Sequence, residues 1–231
     1  MKSINFGQLQ VGEIVANDFR TSRVFKDLGV DFCCGGKVSV ESVCQGLGIN
    51  MSELEQKIEA IKSTGAKHQH NYNEWELSFL ADYIVNTHHS YVNSTLPELV
   101  FYTNKIAEVH GDNHPELIEV AQLTNEVNRE LLQHLKMEEE LLFPAIKSQL
   151  SNPSAQTADT IKNEITRMLG EHDFAGSTFE RINKLTSGYK VPEDACNTYR
   201  VALGTLKEFE DDLHTHVHLE NNILFPKSLK L

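Results

Sequence analysis

Basic residues are scarce in this chain of 231 residues: 21 Lys and Arg stand against 33 Asp and Glu, a formal net charge of −12. Nucleic-acid affinity rests largely on neutralising phosphates with Lys and Arg, so a phosphate-binding surface is not expected. Docking on anionic lipid is disfavoured for the same reason. Long apolar runs are missing too. No window approaches the ~18 apolar residues that span a bilayer. Met1-Lys2-Ser3-Ile4-Asn5-Phe6 lacks the apolar stretch of a signal peptide. A cytoplasmic protein is expected, without nucleic-acid or membrane partners. Cysteine is sparse as well: four residues, two of them adjacent, make no disulfide framework and fit reduced thiols. What is present suffices for a packed core, at 40% hydrophobic and 23% charged residues. The one type in surplus is histidine, with 11 residues.

The hydrophobic pattern predicts an all-α chain. Residues 1–62 read as a small N-terminal domain of short helices. Val11 to Leu28 carries apolar residues at helical intervals and Gly29 is a natural stop. A second helix begins at Ser39. A third begins at Ser52, where Glu55 completes a capping box. Between the first two lies Asp31-Phe32-Cys33-Cys34-Gly35-Gly36-Lys37, a tight glycine-containing loop. Residues 63–74 have no apolar periodicity and read as a linker, its His68 and His70 solvated. Residues 75–231 then hold four long amphipathic segments, roughly 75–110, 115–150, 156–187 and 193–224, and no convincing alternating strand. Helices of ~30 residues reach ~45 Å and suit an antiparallel four-helix bundle.

The second and fourth segments end alike: His134-Leu-Lys-Met-Glu138 leads to Leu142-Phe143-Pro144, and His216-Val-His-Leu-Glu220 leads to Leu224-Phe225-Pro226. The offset is constant, 216 − 134 = 82 and 220 − 138 = 82, while His89 and His172 differ by 83. The bundle therefore reads as two helical hairpins on one plan. His and Glu at i and i+4 share a helix face. Leu131, Leu135, Leu141 and Leu142 on one helix, and Leu213, Val217, Leu219 and Ile223 on the other, put that face toward the interior. A carboxylate there is costly unless it is paired or bound to a metal. One such pair alone would read as an ordinary polar pair on a wet face. Its repetition, with Leu-Phe-Pro repeated beside it, points to a metal site.

Two facing pairs plus one histidine from each remaining helix give four His and two Glu. Two carboxylates can bridge two ions while each ion takes two imidazoles, which leaves room for an oxo or hydroxo bridge and an exogenous ligand. Such a set favours iron or manganese over tetrahedral zinc. Di-iron carboxylate centres are built this way inside bundles. His172 is the only histidine of its helix. On the first helix His88 and His89 compete, pointing about 100° apart. The stripe Ala81, Val85, His89, Val92, Leu96, Leu99 is the more apolar and favours His89, which leaves His88 beside a ligand or at the surface. His110, His114, His214 and His218 read as solvated.

The repeated H-x-x-x-E with Leu-Phe-Pro, the Glu171-His172-Asp173 turn and Asp31-Phe32-Cys33-Cys34-Gly35-Gly36 resemble the repair-of-iron-centres family, di-iron proteins of the YtfE and ScdA type. The resemblance covers essentially the whole chain. It implies a hemerythrin-like bundle behind an ScdA-like N-terminal domain, with two non-haem irons per chain. His89, His134, His172 and His216 are then the histidine ligands, and Glu138 and Glu220 the bridging carboxylates. It further implies a cytoplasmic homodimer acting in stress response on damaged iron–sulfur proteins, by iron delivery or by reduction of nitric oxide to nitrous oxide. Nitric oxide or dioxygen would be the small ligand. A hemerythrin-like sensor or binding protein without turnover is the alternative. The oxygen-carrying hemerythrins are disfavoured, because the position one turn after His172 is Gly176, which ligates nothing.

Adjacent cysteines do not form a relaxed disulfide, since the small ring strains the peptide between them. Cys33 and Cys34 are expected to be thiols of lowered pKa, close to Lys37 and to the helix start at Ser39. Such thiols can accept iron, receive nitric oxide or exchange electrons. Glu171, beside His172, is a candidate proton relay or gate. Cys44 and Cys196 read as packing residues.

Overall fold

The computed structural model describes residues 5–63 and 71–231. Met1–Ile4 and the stretch holding His68 and His70 lie outside them. The chain forms two compact units, Met1–Leu80 with Val217–Lys230, and Ala81–His216 with Leu231. Among the described residues the only β feature is an isolated antiparallel bridge between Gln10 and Ser39.

In the first unit α1 (Val11–Asn17) and α2 (Ser22–Asp27) replace the single helix that the apolar spacing predicts. Asp18 makes the break. Its backbone is extended, at φ −151°, and its carboxylate accepts from Arg20 N at 3.2 Å, offering the chain a local alternative to helix. Gly29 stops α2 in the left-handed region at φ 68°. α3 (Val40–Leu47) starts at Ser39 as expected, with Ser39 Oγ capping Ser42 N. α4 (Met51–Ser63) begins one residue before Ser52. Its cap is Asn50, whose side-chain oxygen accepts from Ser52 N at 2.9 Å, so the Ser52–Glu55 capping box does not set this start.

The four long helices follow. α5 spans 77–110, α6 spans 116–151, α7 is Ala155–Leu185, and α8 spans 197–228. The breaks at Gly111–Pro115 and Asn152–Ser154 fall where Gly and Pro predict them, and Ser154 caps α7 through Thr157 N. Helix α8 starts four residues later than the pattern indicates. Ser187, Gly188 and Tyr189 all carry positive φ, and the chain needs the remainder of 186–196 to turn back. Within the second unit the interior is a continuous apolar column. Leu96, Leu99, Ile106, Leu117, Val120, Ile165 and Ile182 are all buried there, and Phe179 and Phe209 stack at 5.3 Å.

Three of the four long helices contain one widened turn, at Val85–His89, Glu138–Leu142 and Glu220–Leu224. In these the hydrogen bond reaches five residues back: Ser90 N donates to Val85 O, Phe143 N to Glu138 O, and Phe225 N to Glu220 O. The repeated Leu-Phe-Pro explains two of them. Pro144 and Pro226 have no N–H and their rings crowd the preceding turn, so an ordinary α-turn is disfavoured just ahead of each. All three turns fall where His89, Glu138 and Glu220 lie, and such turns concentrate at functional sites.

Candidate metal centre

A widened turn inserts an extra residue into the helix and shifts the face that follows. That is why His88 and His89, about 100° apart in a regular helix, are both buried, at 3% and 1% exposure. His134, Glu138, His172, His216 and Glu220 are buried as well. The six expected ligands come together as two groups. Ligand atoms of His89, Glu138, His216 and Glu220 lie within 4.8 Å of one another, and so do those of His134, Glu138, His172 and Glu220. Glu220 enters through the helix that carries His216, one turn further along. Both glutamates belong to both groups.

The histidines are aimed by carboxylates behind them. His134 Nδ1 donates to Glu171 Oε2 at 2.7 Å, and His89 Nδ1 donates to Glu139 Oε1 at 2.8 Å. Hydrogen bonding to His134 holds the Glu171 carboxyl below its ordinary range, so this partner is an acceptor and the proton sits on Nδ1. The lone pair of each ring is then on Nε2, turned inward. His134 Nε2 faces His172 Nε2 at 3.1 Å, and Glu138 Oε2 lies 3.4 Å from both His89 Nε2 and His134 Nε2. Neither oxygen of Glu138 has a hydrogen-bond partner among the described residues, although the side chain is fully buried. Inward lone pairs on imidazoles and a buried carboxylate without donors are what a cation satisfies. The donor set, imidazole nitrogen with shared carboxylates, fits a di-iron pair.

His88 is in neither donor group and lies beside a ligand, the first of the two places the sequence allows it. Its Nδ1 bonds Asp212 at 2.9 Å and its ring stacks on His216 at 5.4 Å. Glu171 is the partner of His134, at 2.7 Å. Glu139 and Asp212 carry no motif, and the signal that could have found them is spacing alone. His218 is fully buried rather than solvated. It packs between Phe19 and Phe32, and burial pushes its pKa down to about 4. His110, His114 and His214 are partly exposed.

None of the four cysteines is in a disulfide, but Cys33 and Cys196 differ from expectation. Cys33 is buried, and the Cys34 thiol beside it, burial and the Asp31 carboxylate together hold it well above the usual thiol range, not below it. Lys37 and the start of α3 do not offset these. Cys44 is buried as expected. Cys196 is not a packing residue: it is exposed at the start of α8, bonded to His110 Nε2 at 3.2 Å, with its pKa lowered by backbone amides and by that histidine.

Residues 80–228 match the hemerythrin HHE cation binding domain, and residues 7–62 match the ScdA_N domain, described as a domain of unknown function. Three similar proteins carry the name iron–sulfur cluster repair protein. YtfE of Pectobacterium atrosepticum is 34% identical, over 95% of this chain and 96% of that protein. YtfE of Yersinia pseudotuberculosis is 34% identical, over 91% and 92%. ScdA of Staphylococcus epidermidis is 31% identical, over 94% and 96%. The chain belongs to the YtfE/ScdA family. The resemblance read from the motifs thus holds over nearly the whole length, and the hemerythrin-like helical fold with it. A hemerythrin domain binds non-haem iron, and the two donor groups of this family member can hold a di-iron site. No helix among the described residues is long and apolar enough to cross a membrane.

Proposed function

We propose that the chain is a non-haem di-iron protein that takes part in repairing iron–sulfur clusters damaged by nitrosative and oxidative stress. In this reading 75–231 is the metal-carrying domain and 1–62 the N-terminal one, joined by 63–74. His89 and His216 hold one ion, His134 and His172 the other, and Glu138 and Glu220 are shared between them. Damaged iron–sulfur proteins are the targets, and the names of the relatives support that assignment. The observation that carries the metal reading is the double membership of Glu138 and Glu220 in two buried donor groups.

The bound irons would supply redox-active positions open to a small ligand such as nitric oxide or dioxygen. The chain's own residues do the rest. Glu171 and Glu139 keep the Nδ1 protons of His134 and His89, so that each ring offers Nε2. The widened turns turn Glu138 and Glu220 inward. Leu135, Leu142 and Leu213, buried on the same helices as the ligands, keep this interior dry, which strengthens the charge interactions inside.

The test compares wild type with Glu138→Ala for iron content and for reactivation of a nitric-oxide-damaged [4Fe–4S] protein. Loss of both in a variant of unchanged helicity is expected. Full iron and full reactivation in that variant would overturn the reading. Exposing the reduced protein to nitric oxide without oxygen and measuring nitrous oxide separates turnover from simple binding.

A further inference from the structure

The loop Asp31–Lys37 gathers three metal-ligating groups that belong to neither of the two His/Glu donor groups. Ligand atoms of Asp31, Cys33 and Cys34 lie within 4.8 Å of one another. We propose that these three residues form a separate seat for a thiophilic divalent cation, Fe2+ or Zn2+, with two thiolates and one carboxylate as ligands.

The loop is held ready for such an ion. Asp31 folds back over it, accepting from Cys33 N and Gly35 N, both at 2.7 Å, one on each carboxylate oxygen. Each oxygen keeps a further lone pair. Cys33 Sγ donates to Asp31 Oδ1 at 3.0 Å, so a proton now lies between the sulfur and the oxygen that a cation would join. The far side is clamped by Asn222, whose amide donates to Phe32 O and Cys33 O, each at 3.2 Å. Glycine is required for this fit. A Cβ on Gly36 would come 2.6 Å from Phe32 O, and one on Gly12 would come 2.2 Å from the Asn222 side-chain oxygen. Phe32 is buried against the edge of His218 and anchors the strand of backbone that carries the thiols. Little ordering is therefore left for a metal to accomplish.

The accessibility of the three groups is graded. Cys33 is buried, Cys34 half-buried and Asp31 exposed. One side of the seat is dry and protein-lined, the other open to water or to a further chelator. A closed structural zinc site has four protein ligands. Here the fourth position faces solvent, which suits an ion that is taken up and passed on. Two thiolates select against Mg2+ and Ca2+. Binding is a proton exchange without electron transfer: M2+ replaces two thiol protons, which leave to solvent, and the Asp31 carboxylate completes a complex of net charge −1. The cost of ionising Cys33 beside Cys34 and Asp31 is what the cation offsets.

The experiment is a Co2+ titration of the full chain, read through the thiolate-to-cobalt charge-transfer band, which imidazole and carboxylate ligands do not produce. The expected result is a thiolate band that saturates at one ion per chain and is lost when Cys33→Ser and Cys34→Ser are combined. It should persist in Cys196→Ser. It should also persist in Glu138→Ala, so that failure here and failure of the di-iron reading are distinguishable. Asp31→Asn, which keeps the loop's size, should weaken Co2+ at least about tenfold. Absence of the band, its survival in the double serine variant, or its loss in Cys196→Ser would overturn the proposal. Unchanged affinity in Asp31→Asn would do the same for the three-ligand seat.

Discussion

A carboxylate kept for a metal should harm the protein that lacks the metal. Glu138 is fully buried, neither of its oxygens is hydrogen-bonded among the described residues, and its Oε2 lies 3.4 Å from the Nε2 atoms of two imidazoles. Leaving a buried acceptor unsatisfied costs about 1–3 kcal/mol, more for a charged one. Methionine has nearly the same length, no charge, and a side chain that adapts to irregular space. Glu138→Met should therefore stabilise the metal-free protein by about 1–3 kcal/mol, a rise of roughly 2–10 °C in melting temperature at this chain length. Ions bound at a thousand times their dissociation constant add about 4 kcal/mol to the wild type, and the variant forfeits most of that. The predicted order is loaded wild type, then variant, then metal-free wild type. Calorimetry with chelator and with anaerobic Fe2+ measures all three. A metal-free variant that melts below the metal-free wild type would refute the reasoning, because the carboxylate would then be a structural partner of His89 and His134.

Glu171→Gln, which frees His134 to adopt the other tautomer, should weaken metal binding roughly 10–100-fold at little cost in stability; competition with a chelator reads this. Pro144→Ala restores an N–H where the widened turn ends, so Glu138 should relax outward and iron should be released faster, while thermal stability holds or rises. The His218 pKa of about 4 lies below the unfolded value of about 6.5. On acidification the unfolded chain binds the proton first, so stability is full above pH ~6.5 and falls toward pH 4, by up to about 3 kcal/mol. His218→Phe should flatten that slope in urea titrations of the metal-free protein, and an unchanged slope would count against the assignment. Asn222→Ala should make Cys33 react faster with a thiol reagent, since it removes the clamp on the carbonyls on either side of the Cys33 amide nitrogen.

The bundle was legible because its evidence is periodic. Apolar residues recur every three to four positions over long segments, Gly and Pro punctuate them, and the His-x-x-x-Glu repeat returns at an offset of 82. Four of the six expected ligands converge for the same reason: His134 with Glu138, and His216 with Glu220, are i and i+4 on one core-facing helix face and point the same way. What escaped depends on local geometry or on distant partners. The apolar stripe selects His89, which does join a donor group, but a regular helix would not bury His88 beside it as the widened turn does. Pro144 and Pro226 were visible, but their meaning emerges only from the turn ahead of them. Glu139 and Asp212 look like surface acids until a histidine from another helix reaches them. His218 stands two residues from His216 and so off the ligand-bearing face, which reads as solvated, whereas Phe19 and Phe32 arrive from far up the chain and bury it. Cys33 was expected to be acidic from Lys37 and a helix start, but a second thiol, a carboxylate and burial act at closer range. Asp18 broke a helix that apolar spacing alone would have continued.

The central claim is that two buried donor groups share Glu138 and Glu220 around two ions. Iron-edge X-ray absorption together with elemental analysis of anaerobically loaded protein addresses it most directly. The account predicts two irons per chain, nitrogen and oxygen ligands only, and a short iron–iron vector that disappears in Glu220→Ala. A single isolated iron, or an iron pair unchanged by that substitution, would contradict it.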